Sequence, residues 1–393
     1  KMTVLTPDVH WTGVIDWSVR HFHGYETQNG TTYNSYLVND AQPTLIDTVS
    51  HKFFDEFVSR LTSLIQLEQI KYVVCLHAEP DHSGSLPLIM PYLTTATILC
   101  TEKCRQTLLK MYPSLKFARF QAVTAKTEVP LGSKTLRFHP TPMLHWPEQM
   151  WCQCQNYLFS SDAFGQHLAS AERFSDDYDL NQCLYLAKEY YANILAPFQT
   201  QVTRAIELIQ GMNVDHVFTA HGLCFKHAQI KNIIHLYQQL NDGVKQQKIV
   251  MIYDSMYGSC QQICQIFSEG VSSQQFSIQL FSLKHTPLSK LAVETIDAAG
   301  VVLASATFNA HPMPLVFRAI NYLRGLQILI NKQATVINTS GWAGINDKLI
   351  EMLEACKCDV SWREGLNVQF KVDAEQKIKL YDRGKEFAQR CKE

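Results

Sequence analysis

The chain has 393 residues, 46% of them hydrophobic and 18% charged, with 35 basic against 36 acidic side chains. That length and composition predict two globular domains with substantial cores, and a net charge of -1 excludes a global field suited to nucleic acid or an anionic membrane. No run of about 18 apolar residues predicts a membrane span. The start, Lys1-Met2-Thr3-Val4, has no apolar signal segment, so the expectation is a cytoplasmic protein whose twelve cysteines are reduced thiols.

Taken in chain order, Thr32–Val38 and Thr44–Thr48 read as two short strands around a turn at Asp40–Pro43, and apolar Phe53, Phe54, Phe57, Leu61, Leu64 and Ile65 predict a helix over 51–68. Lys71–Leu76 is a short apolar strand running straight into His77. The order strand, helix, strand, polar loop is expected twice more before a strand at Val214–Thr219 that leads to His221. Asn241-Asp242-Gly243 marks a domain boundary, giving domains 1–243 and 244–393. After it, strands near 249–253, 276–282, 300–305, 334–339 and 367–372 alternate with helices near 260–270, 313–323, 346–356 and 375–390. Such alternation predicts an α/β fold, a doubly wound parallel sheet.

No CxxC pair occurs, which excludes a rubredoxin or zinc-ribbon module with its two CxxC knuckles. The CxC pairs 152/154 and 356/358 and the CxxxC pairs 100/104 and 260/264 are read as small apolar core residues rather than metal ligands.

Two constellations carry chemistry. The first is Leu76-His77-Ala78-Glu79-Pro80-Asp81-His82-Ser83-Gly84, four potential ligands within six residues at the end of a strand. A rigid strand end presents such a loop with little freedom to lose on binding. His145 in Leu144-His145-Trp146-Pro147, Asp162 in Ser160-Ser161-Asp162-Ala163, and His221 in Thr219-Ala220-His221-Gly222 lie at other strand ends. Any one of these residues suits a plain turn; the ordered set predicts a binuclear metal site, with a carboxylate such as Asp162 able to give one oxygen to each metal.

The second constellation is a strand, then Ser255-Met256-Tyr257-Gly258-Ser259-Cys260, then a helix. Backbone N–H groups at such a turn cradle phosphate, and glycine permits close approach. Thr307-Phe308-Asn309-Ala310 and Ser340-Gly341-Trp342-Ala343-Gly344 sit at the ends of later strands, where ligands bind in open α/β sheets. The three loops match the pattern of a flavodoxin, one for the phosphate of FMN and two around its ring.

The metal segment resembles the metallo-β-lactamase superfamily, whose usual loop is H-x-H-x-D-H, except that Glu79 stands where the second histidine would be. An added oxygen ligand makes a site more hospitable to iron than to zinc. That substitution, followed by a flavodoxin-like domain over the rest of the chain, resembles the flavodiiron proteins. Trp17–Tyr25, Gly30–Tyr36 and Leu45–Val49 also fit that family. The resemblance implies an N-terminal αββα sandwich and a C-terminal flavodoxin-like domain. It also implies two non-haem irons, one held by His77, Glu79 and His145, the other by Asp81, His82 and His221, with Asp162 bridging. A histidine at position 82 is not a ligand in every member, and His23 and Tyr25 are expected beside the site or only in the packing of the N-terminal strands. Two departures stand out in the flavin loops: Cys260 replaces a usual threonine, and Ala306 and Ala310 replace the commoner proline and asparagine. One lost hydroxyl weakens phosphate binding by about 1 kcal/mol.

The resemblance implies reduction of dioxygen to water, or of nitric oxide to nitrous oxide, with electrons relayed through FMN. It also implies a head-to-tail homodimer or a dimer of such dimers. With no rubredoxin module and no GxGxxG for a nicotinamide, the expected donor is a separate rubredoxin or flavin reductase. Two rival readings are a zinc hydrolase carrying a flavodoxin-like appendage and an electron-transfer flavoprotein with a structural metal domain.

Overall fold

The computed structural model describes residues 4–392 and divides the chain into two compact units. One runs to Tyr191 and resumes at Phe198–Gln238; the other comprises Ala192–Pro197 and the chain from Gln239 onward.

The first unit is an αββα sandwich of two six-stranded sheets. The first sheet has the order Val9–Trp11, Tyr36–Val38, Thr44–Ile46, Tyr72–Val74, Thr97–Cys100 and Arg119–Ala122. From Thr44–Ile46 onward its strands are parallel. Parallel strands covered on both faces read as continuous apolar runs, and successive side chains point to opposite faces. Accordingly Leu45, Val73 and Ile98 pack under the helices with Phe57 and Leu61, while Ile46, Val74 and Leu99 pack between the sheets with Phe138, Phe159 and Phe218. The segment after Ile46 holds one α-helix, Phe54–Thr62, with a 3₁₀ turn before it at His51–Phe53 and another after it at Leu67–Gln69.

The second sheet corrects the expectation of a repeated strand and helix order. Its strands are Glu128–Pro130, Thr135–Pro140, Met150–Cys154, Tyr157–Ser161, His216–Thr219 and Phe225–Lys226. All its pairings are antiparallel except that of Tyr157–Ser161 with His216–Thr219. The long helices Leu180–Tyr190 and Gln199–Gln210 fall together inside that one parallel crossover, as parallel pairing requires. Cys152 and Cys154, two residues apart, share the inward face.

The second unit has a parallel sheet in the order Ser277–Ser282, Gln246–Asp254, Ala298–Phe308, Gln333–Ser340, then Asp359–Val360 and Leu366–Gln369. This is the doubly wound, flavodoxin-like order, and its binding positions lie outside the C-terminal strand ends. Cys260 and Cys264, one helical turn apart, face the core on the inner side of the helix Ser259–Ser272. Among the described residues, no helix is long and apolar enough to cross a membrane.

Candidate functional site

The strand Tyr72–Val74 delivers His77 from the middle of the first sheet. Pro80–Ser83 then closes a helical turn that carries Asp81 and His82. The loop expected there is thus partly helical, with Pro80 at the first helical position, where its missing N–H costs nothing. Asp162 follows Tyr157–Ser161, His221 follows His216–Thr219, and His145 lies in the connection before Met150–Cys154. Gly222 holds the His221 turn at φ +72, where a Cβ would lie 2.5 Å from the Gln166 carbonyl oxygen. Only glycine fits that position.

These side chains converge. Single ligand atoms from His77, Glu79, His145 and Asp162 lie within 4.8 Å of one another, as do those of His82, Asp162 and His221, and those of His23, Asp81 and His221. Three imidazoles are fixed from behind. His77 Nδ1 lies 2.8 Å from Glu148 Oε1, His82 Nδ1 3.1 Å from Asp47 Oδ2, and His221 Nδ1 2.7 Å from the Thr32 carbonyl oxygen. A carbonyl or carboxylate can only accept, so each Nδ1 carries the proton and each Nε2 lone pair turns inward. Both oxygens of Asp162 are held as well, Oδ1 by the Tyr190 hydroxyl at 2.9 Å and Oδ2 by the Gln149 amide at 2.8 Å.

Charge is concentrated here out of water. Burial opposes ionisation of Glu79, yet the imidazole of His145 at 3.3 Å and that of His77, hydrogen-bonded at 3.1 Å, hold its pKa at about 2. Burial likewise opposes ionisation of Asp81 and Asp162, and the neighbouring His82 charge holds both well below the usual carboxylate range. Against the cost of burial, Glu148 and Glu79 raise His77 to about 9, and Asp162 and Asp81 raise His221 to about 9. This protein-only balance is incomplete: His221 Nε2 lies 3.0 Å from Asp81 Oδ2, but His221 Nε2, both Asp81 oxygens and His145 Nε2 are buried without a hydrogen bond. Buried polar atoms are normally satisfied. Imidazole lone pairs meeting carboxylate oxygens at such spacing fit divalent cations held by mixed nitrogen and oxygen ligands, with no cysteine in any of the three groups.

Of the flanking residues, Tyr25 is buried with its ring 5.5 Å from His167. His23 sits over the cluster, its Nε2 3.6 Å from Glu79 and 3.5 Å from Asp81. Glu148, Asp47, Gln149, Tyr190 and His167 are the participants that the sequence reading leaves out. Glu148 had a local signal, lying three residues after His145 beside a proline. Gln149 is the next residue along, while Asp47 and Tyr190 act from distant elements.

In the second unit, Ser255, Met256, Tyr257, Ser259, Cys260, Thr307, Ser340, Gly341 and Trp342 line a cavity of about 290 Å³, together with Ala306, Thr339 and Phe370. The helix Ser259–Ser272 has no side-chain N-cap. Gly258 stands at φ +87 with nothing within 4 Å of where a Cβ would be. Free N–H groups at a helix start beside open space and two serine hydroxyls fit a phosphate. Phe308, Asn309 and Ala310 fall outside the lining; they turn a hairpin that pairs Thr307 with Pro312. Ala343 and Gly344 lie outside it too, while Phe370 joins it from a segment that the sequence reading treats as strand.

Comparison with known proteins agrees with both halves. Residues 31–222 match the family model described as ODP family beta lactamase. The chain is 32% identical to a nitric oxide reductase of Moorella thermoacetica, over 98% of each chain. The crystal structure of the flavodiiron protein from Giardia intestinalis superposes with a TM-score of 0.97 at 34% identity, covering 99% of this chain and 96% of that one. The rubredoxin oxygen:oxidoreductase of the anaerobe Desulfovibrio gigas does so with 0.94 at 30% identity, covering 99% and 98%. An αββα metal-type unit, a flavodoxin-like unit and relatives matched over nearly their whole length lead to one assignment: the chain is an oxidoreductase and belongs to the flavodiiron protein family.

Proposed function

We propose that the protein reduces dioxygen to water at two non-haem irons, with electrons relayed through FMN from an external donor. When bound, FMN would store electrons singly or in pairs, and a pair of irons would supply electrons to a small-molecule acceptor. The reading assigns His77, Glu79 and His145 to one iron and Asp81, His82 and His221 to the other, with Asp162 between them. His82 is preferred to His23 as a ligand because its Nδ1 is anchored by Asp47, as a ligating histidine's usually is. Neither nitrogen of His23 has a hydrogen-bond partner, which suits a residue facing the substrate pocket instead.

The chain's own groups orient and shield. Glu148, Asp47 and Thr32 fix imidazole direction, and Tyr190 and Gln149 fix Asp162. The Phe22 ring, stacked 4.1 Å from His23, and the Trp146 ring, 5.0 Å from His77, keep water from the sides. FMN is assigned to the cavity from Ser255 to Phe370, its phosphate toward Gly258 and its ring toward Trp342. Trp342 and Tyr257 are 92% and 90% exposed, an apolar rim suited to cover by a second, head-to-tail copy. The Desulfovibrio gigas relative's name supports dioxygen as substrate and a rubredoxin-type donor; the Moorella name supports nitric oxide reduction to nitrous oxide as the second reading.

The observation that carries the proposal is the convergence of three carboxylates with imidazoles whose outer nitrogens are already tied. Anaerobic loading with iron and FMN, reduction, and exposure to each gas at an electrode test it. Fast dioxygen uptake without peroxide is expected. Preferential nitric oxide uptake would reverse the substrate. No turnover by fully loaded protein would return the assignment to a zinc hydrolase or an electron carrier.

A further inference from the structure

His167 belongs to no metal group and is as buried as the residues that do. It is 5% exposed, and its Nε2 has no hydrogen-bond partner. The backbone around it is fixed on both sides. Gln166 accepts from the Leu223 N–H through its side chain and donates its own N–H to the His221 carbonyl oxygen, while the Ala169 N–H donates to Asn29. Its Nδ1 is held by the Thr31 hydroxyl at 2.9 Å. The ring is enclosed by Phe22 at 4.8 Å, Tyr190 at 5.0 Å, His23 at 5.1 Å, His221 at 5.3 Å and Tyr25 at 5.5 Å between centroids.

We propose that His167 is a substrate-binding residue: its Nε2 forms a hydrogen bond to the small molecule held over the paired metals, from the wall beside His23. This rests on the di-iron reading above. A buried imidazole nitrogen is normally satisfied. Among the enclosing rings, Tyr190 spends its hydroxyl on Asp162, His221 its Nδ1 on Thr32, and neither nitrogen of His23 forms a hydrogen bond. A small polar molecule over the metals is therefore the partner that fits. The Thr31 hydroxyl can donate to Nδ1, which leaves the ring proton on Nε2, or donate to the Thr32 carbonyl oxygen at 3.3 Å and accept from Nδ1. Nε2 then meets a ligand that only accepts, such as a diatomic gas, or one that donates, such as water.

The test uses the full chain loaded with ferric iron, with azide as probe and its optical charge-transfer band as readout. His167→Asn keeps an amide near the position of Nδ1 and leaves the outer position empty; His167→Gln does the reverse. The expected result is azide bound about five- to tenfold more weakly by His167→Asn, from one lost hydrogen bond, and within about twofold of the parent by His167→Gln. A purely structural role, holding Thr31, requires the opposite order and a matching order of melting temperatures. Parent-like azide affinity in His167→Asn, or the opposite order, overturns the proposal. Iron-loaded parent protein that develops no azide band overturns the di-iron reading and this proposal with it.

Discussion

Glu148 is the perturbation that most directly tests how the cluster is built. It is 2% exposed, its Oε1 accepting from His77 Nδ1 at 2.8 Å and from the Ala78 N–H at 3.1 Å. Glu148→Gln keeps the shape and an oxygen acceptor but removes the charge that raises the basicity of His77. Hydrogen bonds to a charged partner contribute about 1.5–3 kcal/mol against about 1 for neutral ones, so the difference left to metal binding is about 0.5–2 kcal/mol. That is a loss of affinity of about 2- to 30-fold, whose upper part overlaps the roughly 10- to 100-fold range seen when groups behind a ligating histidine are changed. Glu148→Ala additionally leaves His77 Nδ1 and the Ala78 N–H buried without a partner, and metal affinity falls further along with the melting temperature. The assay is competition for ferrous iron against a calibrated chelator, with bound metal counted per chain. Parent-like affinity in a folded Glu148→Gln protein would refute the idea that the outer carboxylate sets the ligand strength of His77.

Three further outcomes follow from named groups. Asp162→Asn, removing the carboxylate that lies 3.1 Å from His82 Nε2 and 3.5 Å from His77 Nε2, is expected to cut bound iron from two per chain to below one, leaving the circular dichroism of the sheets unchanged; two firmly bound irons would sink its bridging role. Gly258→Ala places a Cβ at φ +87 in open space, so backbone strain of about 1–2 kcal/mol is expected with at least tenfold weaker FMN binding by fluorescence quenching; unchanged FMN affinity would remove the phosphate from this turn. Lys332, buried in the flavodoxin-like unit and donating to the Ile296 and Ala298 carbonyls, has its pKa lowered by burial from 10.5 to about 7. The folded state therefore binds fewer protons than the unfolded state between those values, and stability rises with pH across that window, by at most about 5 kcal/mol. Lys332→Met should flatten the rise in urea melts, and an identical pH slope in the variant would rule it out.

How much of this was legible in the sequence depends on the range over which each feature is determined. The cluster His77-Glu79-Asp81-His82 is local, so its spacing alone announced a metal site, and Asp162, His145 and His221 were found because strand ends are marked by turn residues. What holds these ligands was not legible. Asp47 reaches His82 across 35 positions and Glu148 reaches His77 across 71, distances that no periodicity encodes. The second sheet differs from the expectation for a related reason: its antiparallel strands follow one another with no helix between them, while its one parallel pairing hides two helices in a single crossover, so polar and apolar spacing alone suggests alternation. In the flavodoxin-like unit local pattern and topology agree for the five expected strands and four expected helices, but the helix Leu288–Thr295 and the short strand Asp359–Val360 are among the elements the sequence reading leaves out. Phe370 shows where that agreement ends. Its backbone N–H donates to the Ser340 carbonyl oxygen and its carbonyl accepts from the Ser259 hydroxyl, so it enters the flavin cavity through contacts with two distant loops. The same division runs through the metal cluster: residues that would bind metal are written in short motifs, whereas the groups that set proton position and ligand direction are supplied by the fold. Substitutions at Asp47, Glu148 and Tyr190 should therefore alter affinity and rate while leaving every recognisable motif intact.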